Sequence, residues 1–283
     1  MEIPQNVFIL SYVPKRRCLS LQKNSQMNSL IAWLIRNVPR KYLQRVSGKA
    51  LQAAGAVWYR GHGVHCPVCD GEYRVFMPYG RLSSRANALC PGCMSLERHR
   101  LIWLYLQTTN FFSPLQVLHI APEPCFIKKF ESIHGQGYVT ADLESPLAKV
   151  KMDIHRMPFS ENQFDVVLCN HVLEHVADDK QAMREILRVL KPRGWAVLQV
   201  PFFPPLPDET FEDKNIVSPR DREKAFGQED HVRKYGKDYV RRLTDCGFQA
   251  EVNFTAKTLS KEEAFRCGIL QEEELHIARK KPA

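Results

Sequence analysis

Four cysteines in two Cys-x-x-Cys pairs carry the clearest chemical signal in the chain. Cys66 and Cys69 form one pair, Cys90 and Cys93 the other, and 20 residues separate the two pairs. Four thiolates bind Zn²⁺ as a tetrahedron, and a site with four protein ligands leaves no position open for catalysis. The spacing therefore predicts a structural zinc ribbon, with buried thiols lacking a metal as the alternative.

A second group of reactive side chains lies in the middle of the sequence. Asn170, His171, Glu174 and His175 follow the apolar run Phe164–Cys169. A run of this length bounded by polar residues is typical of a strand buried on both faces of a parallel sheet. The order His-x-x-Glu-His also occurs in zinc proteases, but we reject that interpretation because the motif lies in the turn after a buried strand.

The elements after this group fix where its chemistry should lie. Asp178 and Asp179 begin a segment that ends at Pro192 and Gly194. Its apolar residues fall on one face of a helix: Met183, Ile186, Leu187 and Leu190. Residues 195–200 form a second apolar run. The unit is thus strand, crossover helix and parallel strand, and such sheets bind ligands at the carboxyl ends of their strands.

The motifs VLEHV (residues 172–176) and RVLKPRG (188–194) in this context resemble class I methyltransferases that use S-adenosylmethionine (SAM), particularly those acting on small molecules. The resemblance covers about residues 112–283. It implies a doubly wound, Rossmann-like α/β sheet whose first strand is residues 115–120 and whose last two strands, residues 249–254 and 275–279, form an antiparallel hairpin. The small zinc ribbon and a helical arm would precede this sheet.

The turn after the first strand departs from the family pattern. His119 stands where the family has an acidic residue, and Ala121, Glu123 and Cys125 occupy its glycine positions. The glycines of that pattern let the backbone approach the methionine part of SAM. We expect Glu123 to replace the missing acid by reaching the ammonium group of SAM.

Other cofactor residues follow from the strand ends and the resemblance. Asp142 ends the second strand, residues 138–141, and is placed to accept the ribose hydroxyls, with Leu143 beside it; a turn cap is the alternative role. Asp153 resembles the family's adenine-binding acid, with Ile154 against the ring. Asn170 would lie under the cofactor.

A second metal site is a further hypothesis. The chain is similar to metal-dependent O-methyltransferases acting on ubiquinone precursors and on small RNAs, where E-x-x-E-H and a later histidine hold a divalent ion. His171 replaces the first glutamate, Glu174 and His175 match, and His231 stands for the later histidine. In the alternative interpretation, Glu174 and His175 orient the turn and His231 is a general base or substrate contact. Residues 201–226 are expected to form a lid or substrate loop.

The net charge of +9 arises at one end of the chain. Residues 1–60 contain ten Lys or Arg and one acidic residue, Glu2, so the remaining 30 basic and 30 acidic residues cancel. We interpret residues 1–60 as a basic, partly helical arm, 61–111 as the ribbon and a connecting helix, and 112–283 as the methyltransferase domain. The arm could pack on the protein or contact an anionic membrane surface. We expect Arg98, His99 and Arg100 of the connecting helix to form a solvated or domain-bridging face.

Together these features predict a cytoplasmic SAM-dependent methyltransferase. The acceptor is expected to be a small molecule or sugar, methylated on oxygen, and nucleic acid is not expected because the catalytic domain carries no net positive charge. The oligomeric state is not readable from the sequence. Two alternatives stay open: an rRNA methyltransferase that grips RNA with its ribbon and arm, and a non-catalytic scaffold that no longer binds SAM.

Overall fold

The computed structural model describes residues 55–80 and 84–283. Most of the segment predicted to be helical in the basic arm falls within residues 1–54, so that part and the proposed membrane contact lie outside the described residues; residues 55–58, which are described, are helical. Within the described part of the chain, no helix is both long enough and apolar enough to cross a bilayer.

Four short strands form the cysteine-rich region: β1 (Arg60–Cys66), β2 (Gly71–Tyr73), β3 (Met77–Tyr79) and β4 (Arg85–Leu89). β1 pairs antiparallel with β2, and β3 pairs antiparallel with β4. β2 and β3, which both lie between the cysteine pairs, therefore do not pair with each other. β2 and β3 each pair with a strand on their far side, which brings both Cys-x-x-Cys turns to one place.

A seven-stranded sheet forms the larger part of the molecule. Its strands are β5 (Val117–Ile120), β6 (Tyr138–Asp142), β7 (Val150–Lys151), β8 (Phe164–Asn170), β9 (Leu190–Gln199), β12 (Gln249–Asn253) and β13 (Leu275–Arg279). The spatial order is β12-β13-β9-β8-β5-β6-β7. Strands β5 to β9 run parallel, whereas β13 is antiparallel to both β9 and β12. The predicted doubly wound sheet with a C-terminal hairpin is confirmed.

Seven further helices follow the cysteine-rich region in the described part of the chain. They are α1 (Glu97–Gln107), α2 (Pro124–His134), α3 (Asp179–Val189), α4 (Pro219–Phe226), α5 (Tyr239–Asp245), α6 (Thr255–Thr258) and α7 (Lys261–Cys267), with 3₁₀ turns at Asn110–Phe112 and Gly135–Gly137. The predicted lid segment contains α4 and strand β10 (Phe211–Glu212), which pairs with β11 (Arg233–Lys234). Its role as a lid stays a prediction.

In the central strand–helix–strand unit, the helix forms as the sequence predicts, but the second strand differs from its prediction. The side chain of Asp178 caps α3 by accepting from the Gln181 N–H, and Met183 and Ile186 are fully buried. β9, however, begins at Leu190, five residues before the predicted start, because Leu190 already pairs with Phe164. Gly194 permits this close approach: a Cβ there would lie 2.8 Å from the Lys191 carbonyl oxygen.

One apolar core extends from the ribbon to the sheet. Phe76 of the ribbon, Leu101 of α1, Val117 of β5 and Ile277 of β13 belong to the same buried cluster. The boundary proposed after residue 111 stays a prediction, but the packing on its two sides is continuous.

Arg100 bridges the ribbon to the C-terminal part of the chain. Its side chain is fully buried, and its guanidinium lies 4.2 Å from the centre of the Phe76 ring. It donates to four carbonyl oxygens: Ser95 (2.8 Å), Ala88 (2.9 Å), Cys267 (2.6 Å) and Gly268 (2.8 Å). The expectation of a domain-bridging residue is met by Arg100, while His99 is buried and not solvated.

Candidate functional site

The four cysteine sulfurs converge as a tetrahedral metal site requires. The Cys66 and Cys93 sulfurs lie 3.6 Å apart, those of Cys69 and Cys90 lie 3.7 Å apart, and all four lie within 4.8 Å of one another. Zn–S bonds of about 2.3 Å in a tetrahedron place sulfurs about 3.8 Å apart, so the arrangement fits zinc.

The backbone of the two cysteine turns repeats the same conformation. Asp70 and Met94, each next after the second cysteine of a pair, both adopt left-handed φ values of 58° and 62°. Their N–H groups donate to the carbonyl oxygens of Cys66 and Cys90 at 2.8 and 2.9 Å. The turns are therefore matched halves of one site, and the four sulfurs would leave no coordination position for a substrate.

The carboxyl ends of β5, β6 and β8 form one edge, as expected for the cofactor. The Ala121 N–H donates to Ala141 O at 2.9 Å, and the Met152 N–H donates to Asp142 O at 3.1 Å. Asn170 ends β8, on the other side of β5. Because neighbouring strands lie about 4.8 Å apart, the backbones at Asn170 and Asp142 are about 10 Å apart across β5.

The turn after β5 keeps a glycine-like backbone without glycine. Ala121 adopts φ = 52°, in the left-handed region that L-residues rarely occupy. His171, at the end of the neighbouring strand β8, adopts φ = 56°. Such conformations cost about 1–3 kcal/mol each and occur at ligand sites as well as in tight turns, and two of them at adjacent strand ends fit the cofactor edge that the sequence predicts.

Glu123 is the centre of a buried polar cluster at this edge. Its Oε2 lies 2.5 Å from His119 Nε2, and its Oε1 accepts from the Asn170 side-chain amide at 2.5 Å. His119 is held in turn by the Tyr138 hydroxyl at 2.7 Å. Burial would raise the pKa of Glu123, but the imidazole of His119, through its charge and its hydrogen bond, is the main cause that lowers it to about 2. Glu123 is thus a carboxylate at neutral pH, and His119 orients it.

The two candidate nucleoside acids lie on the outer side of the edge. Asp142 is half-buried, and its Oδ1 accepts from the N–H groups of Glu144 and Ser145, so the turn-cap role is met by that oxygen. Asp153 is exposed and accepts from the backbone and the ring of His155. Leu143 is 64% exposed and Ile154 is buried in the core beneath. An exposed apolar residue next to the Asp142 carboxylate suits an adenosine ring.

Two buried polar atoms at the edge have no hydrogen-bond partner in the described chain. They are Asn170 Oδ1 and His99 Nε2. Since buried polar groups are nearly always paired, their geometry fits a site that receives a polar ligand. SAM, whose methionine part offers both donors and acceptors, meets this requirement.

A second group lies beside Asn170, where the chain leaves β8. One donor atom each of Glu174, His175 and His231 lie within 4.8 Å of one another. His171 contacts Glu174 at 3.3 Å but does not belong to this compact triad. The structure thus brings together three of the four residues in the predicted second metal site, and the fourth lies adjacent to them.

Glu174 is the unusual member of the triad. Its side chain is 1% exposed, and neither carboxylate oxygen has a hydrogen-bond partner within the described residues. Burial acts to raise the pKa of Glu174, but His171 and His175 hold it below the ordinary value. Burial lowers the pKa of His231, which leaves its imidazole neutral near pH 7. A buried carboxylate beside two imidazoles is a donor set that a divalent cation can bind.

Sequence reasoning missed His99 as a member of the cofactor edge. This residue lies on α1, 18 residues before the start of β5, and no local pattern connects it with Glu123. The available signal was the sequence LERH: a histidine in the first turn of a helix can accept from the N-cap amide, and it then points inward.

Comparison with known proteins agrees with this arrangement. Residues 110–198 match a family model described as "Methyltransferase domain". A demethylmenaquinone methyltransferase from Mycobacterium marinum is 37% identical over 62 residues, covering 22% of this chain and 27% of the relative. A ubiquinone/menaquinone biosynthesis C-methyltransferase from Idiomarina loihiensis is 44% identical over 45 residues, covering 16% and 18%. The chain spans about a fifth to a quarter of the length of these relatives.

Among solved structures, the YcgJ protein from Bacillus subtilis is 16% identical with a TM-score of 0.45, covering 65% of this chain and 100% of that one. The matched family model spans β5 to β9, which include the strand ends described above. The resemblance to class I SAM-dependent methyltransferases is confirmed.

Proposed function

We propose that this protein transfers the methyl group of SAM to a hydroxyl group of a small molecule or sugar. The observation that carries the proposal is the edge formed by the strained Ala121 turn, Glu123, Asp142 and Asn170, within a segment that matches a methyltransferase family model. The acceptor class rests on the charge balance of residues 61–283, which offers no broad cationic surface for a polyanion.

The residues that would hold SAM divide by chemistry. Glu123 would accept from the ammonium group, oriented by His119. Asp142 would accept from the ribose hydroxyls through Oδ2, because Oδ1 caps the turn. Leu143, Asp153 and Ile154 would border the adenine. When bound, SAM supplies an electrophilic methyl group on a sulfonium, so the protein needs chiefly to align the acceptor and remove its proton.

Proton removal is assigned to the triad of Glu174, His175 and His231. It adjoins Asn170 and therefore lies next to the proposed methyl donor. His231, whose pKa is lowered by burial, can accept a proton at neutral pH. We further propose an alternative in which the triad binds a divalent cation. The imidazole of His231 would then be a ligand and not the base, and the cation would fix the direction of a coordinated hydroxyl and lower its pKa so that water can take the proton. The unpaired oxygens of Glu174 favour this arrangement over a purely structural role.

The ribbon cysteines are proposed to bind structural Zn²⁺. Four thiolates around one Zn²⁺ carry a net charge of −2, and the buried Arg100 lies where it partly neutralises that charge. With two imidazoles in its donor set, the triad should prefer Zn²⁺, Mn²⁺ or Fe²⁺ to Mg²⁺.

Cofactor binding tests the proposed activity. Calorimetry should detect SAM and S-adenosylhomocysteine binding to the full chain, and Asp142→Asn should weaken both roughly 10- to 100-fold, because the amide keeps the turn cap but loses the charge. Asp208→Asn, at an exposed carboxylate, is the matched control. If neither nucleoside binds the wild-type protein, only the non-catalytic scaffold remains.

Manganese binding tests the second metal independently of methyl transfer. Electron paramagnetic resonance of protein that carries one equivalent of Zn²⁺, titrated with Mn²⁺, should reveal one Mn²⁺ site. Glu174→Gln should weaken that site at least about 10-fold, whereas His171→Asn, outside the triad, should retain it. Equal Mn²⁺ binding by wild type and Glu174→Gln would leave the triad as proton acceptor and turn element only.

A further inference from the structure

Helix α1, which leaves the cysteine cluster, is fixed against the helix that follows the cofactor turn. The ring of Trp103 stacks on Phe126 and on Phe130 of α2, each at 6.2 Å between centroids, with interplanar angles of 11° and 7°. α2 begins directly after Glu123. The first turn of α1 therefore stands at a defined distance from the Ala121–Glu123 turn.

His99 points from that first turn toward Glu123. Its Nδ1 accepts from the Leu96 N–H at 3.1 Å, so in the neutral ring the proton is on Nε2. Burial keeps the ring neutral by lowering its pKa well below the ordinary value. The side chain is 7% exposed, and Nε2 lies 3.6 Å from Glu123 Oε1 without a hydrogen-bond partner in the described residues.

The unpaired atoms beside Glu123 are of opposite kinds. His99 Nε2–H is a donor, whereas Asn170 Oδ1 is an acceptor, since the amide nitrogen of Asn170 is used by Glu123. With the Glu123 carboxylate, which both residues approach, they offer one donor and two acceptors. An α-amino acid head group needs this combination: its carboxylate accepts and its ammonium donates.

We propose that His99 binds the methionine carboxylate of SAM, while Glu123 and Asn170 Oδ1 accept from the ammonium. This inference rests on the proposed function, since it identifies the part of SAM that the ribbon helix recognises. The zinc ribbon thereby supplies a wall of the methyl-donor site, and its metal supports cofactor affinity.

The connection from the cysteines to His99 is short and rigid. The Ser95 hydroxyl lies 3.3 Å from the Cys66 sulfur and 3.2 Å from the Cys93 sulfur, and Ser95 O accepts from the Cys90 N–H at 2.9 Å. Leu96, next in the chain, is both the N-cap of α1 and the donor that sets the His99 tautomer. Loss of the metal should therefore disturb the orientation of His99 first.

The test compares two nucleosides that differ in the amino acid part. Calorimetry of the zinc-loaded full chain would use S-adenosylhomocysteine, which has the head group, and 5′-methylthioadenosine, which lacks it. His99→Leu should weaken S-adenosylhomocysteine roughly 10- to 100-fold and leave 5′-methylthioadenosine within about twofold. His99→Gln, which retains an N–H donor, should recover part of the loss.

The outcomes separate this inference from the proposed function. An unchanged affinity ratio for the two nucleosides in His99→Leu and His99→Gln would overturn the role of His99 while leaving cofactor binding intact. Failure of wild-type protein to bind either nucleoside would overturn both proposals. If His99→Leu does not fold, His99→Gln alone decides. An affinity for S-adenosylhomocysteine relative to 5′-methylthioadenosine that equals the wild-type value counts against the inference. A lower relative affinity for S-adenosylhomocysteine supports it.

Discussion

Replacement of Arg100 by methionine should strongly destabilise the zinc-loaded protein. Methionine fills a similar space without a donor, so the carbonyl oxygens of Ala88, Cys267 and Gly268 would lose this partner, whereas Ser95 O would keep the Cys90 N–H. At about 1–3 kcal/mol for each of the three unpaired groups, the gross cost is about 3–9 kcal/mol. The variant also avoids the free-energy cost of burying the guanidinium charge, which offsets several kcal/mol of this loss.

The expected net loss in the free energy of unfolding is about 3–5 kcal/mol. Urea unfolding followed by circular dichroism measures it, with Arg279→Met as a matched control, because Arg279 forms an exposed pair with Glu251 and should cost under about 1 kcal/mol. Part of the Arg100 effect is electrostatic, so it should shrink when zinc is chelated. A loss below about 1 kcal/mol for Arg100→Met in zinc would refute the view that this cation joins the ribbon to the C-terminal region.

Three further predictions concern the metal, a buried ion pair and pH. Cys90→Ser should remove one of four zinc ligands and lower the zinc content measured by elemental analysis; full retention of zinc would contradict a four-sulfur site. Asp179→Asn should cost about 3–5 kcal/mol in urea unfolding at pH 7, because Arg242, which donates to both carboxylate oxygens at 2.7 Å, would be left partly unpaired; a change under about 1 kcal/mol would contradict this. Burial lowers the pKa of His276 to about 4, so the unfolded chain binds more protons than the folded one between about pH 6.5 and 4. Stability should therefore fall as pH drops through that window, by up to about 3 kcal/mol from this residue, and His276→Gln should flatten the pH dependence of the melting temperature.

Much of the fold followed from local patterns. An apolar run followed by a capped amphipathic helix was sufficient to predict β8 and α3. The cap at Asp178 and the apolar helix face that includes Met183 each depend on residues within two helical turns. The two cysteine pairs likewise identified their own cluster, because thiol spacing constrains metal geometry directly. The order of β12 and β13 followed from the family resemblance and is confirmed.

Features that depend on distant partners were not predictable in this way. β9 starts early because Leu190 meets Phe164, a contact between residues far apart in sequence. The position of His99 depends on how α1 packs against α2. The lack of hydrogen-bond partners for the Glu174 oxygens depends on which groups the other described residues place beside them. All three features depend on the three-dimensional arrangement. Two of them lie at the candidate site, and functional sites often depart from local sequence preferences.

The stacking of Trp103 on Phe126 and Phe130 has a practical meaning for any shortened version of this protein. A chain beginning at residue 112 would keep every strand of the large sheet, yet it would uncover both phenylalanines and open the region around Glu123 to water. Such a fragment should aggregate or lose nucleoside affinity even though its apparent domain is complete. The cysteine-rich segment is thus better regarded as an interior wall of the methyltransferase than as a detachable accessory.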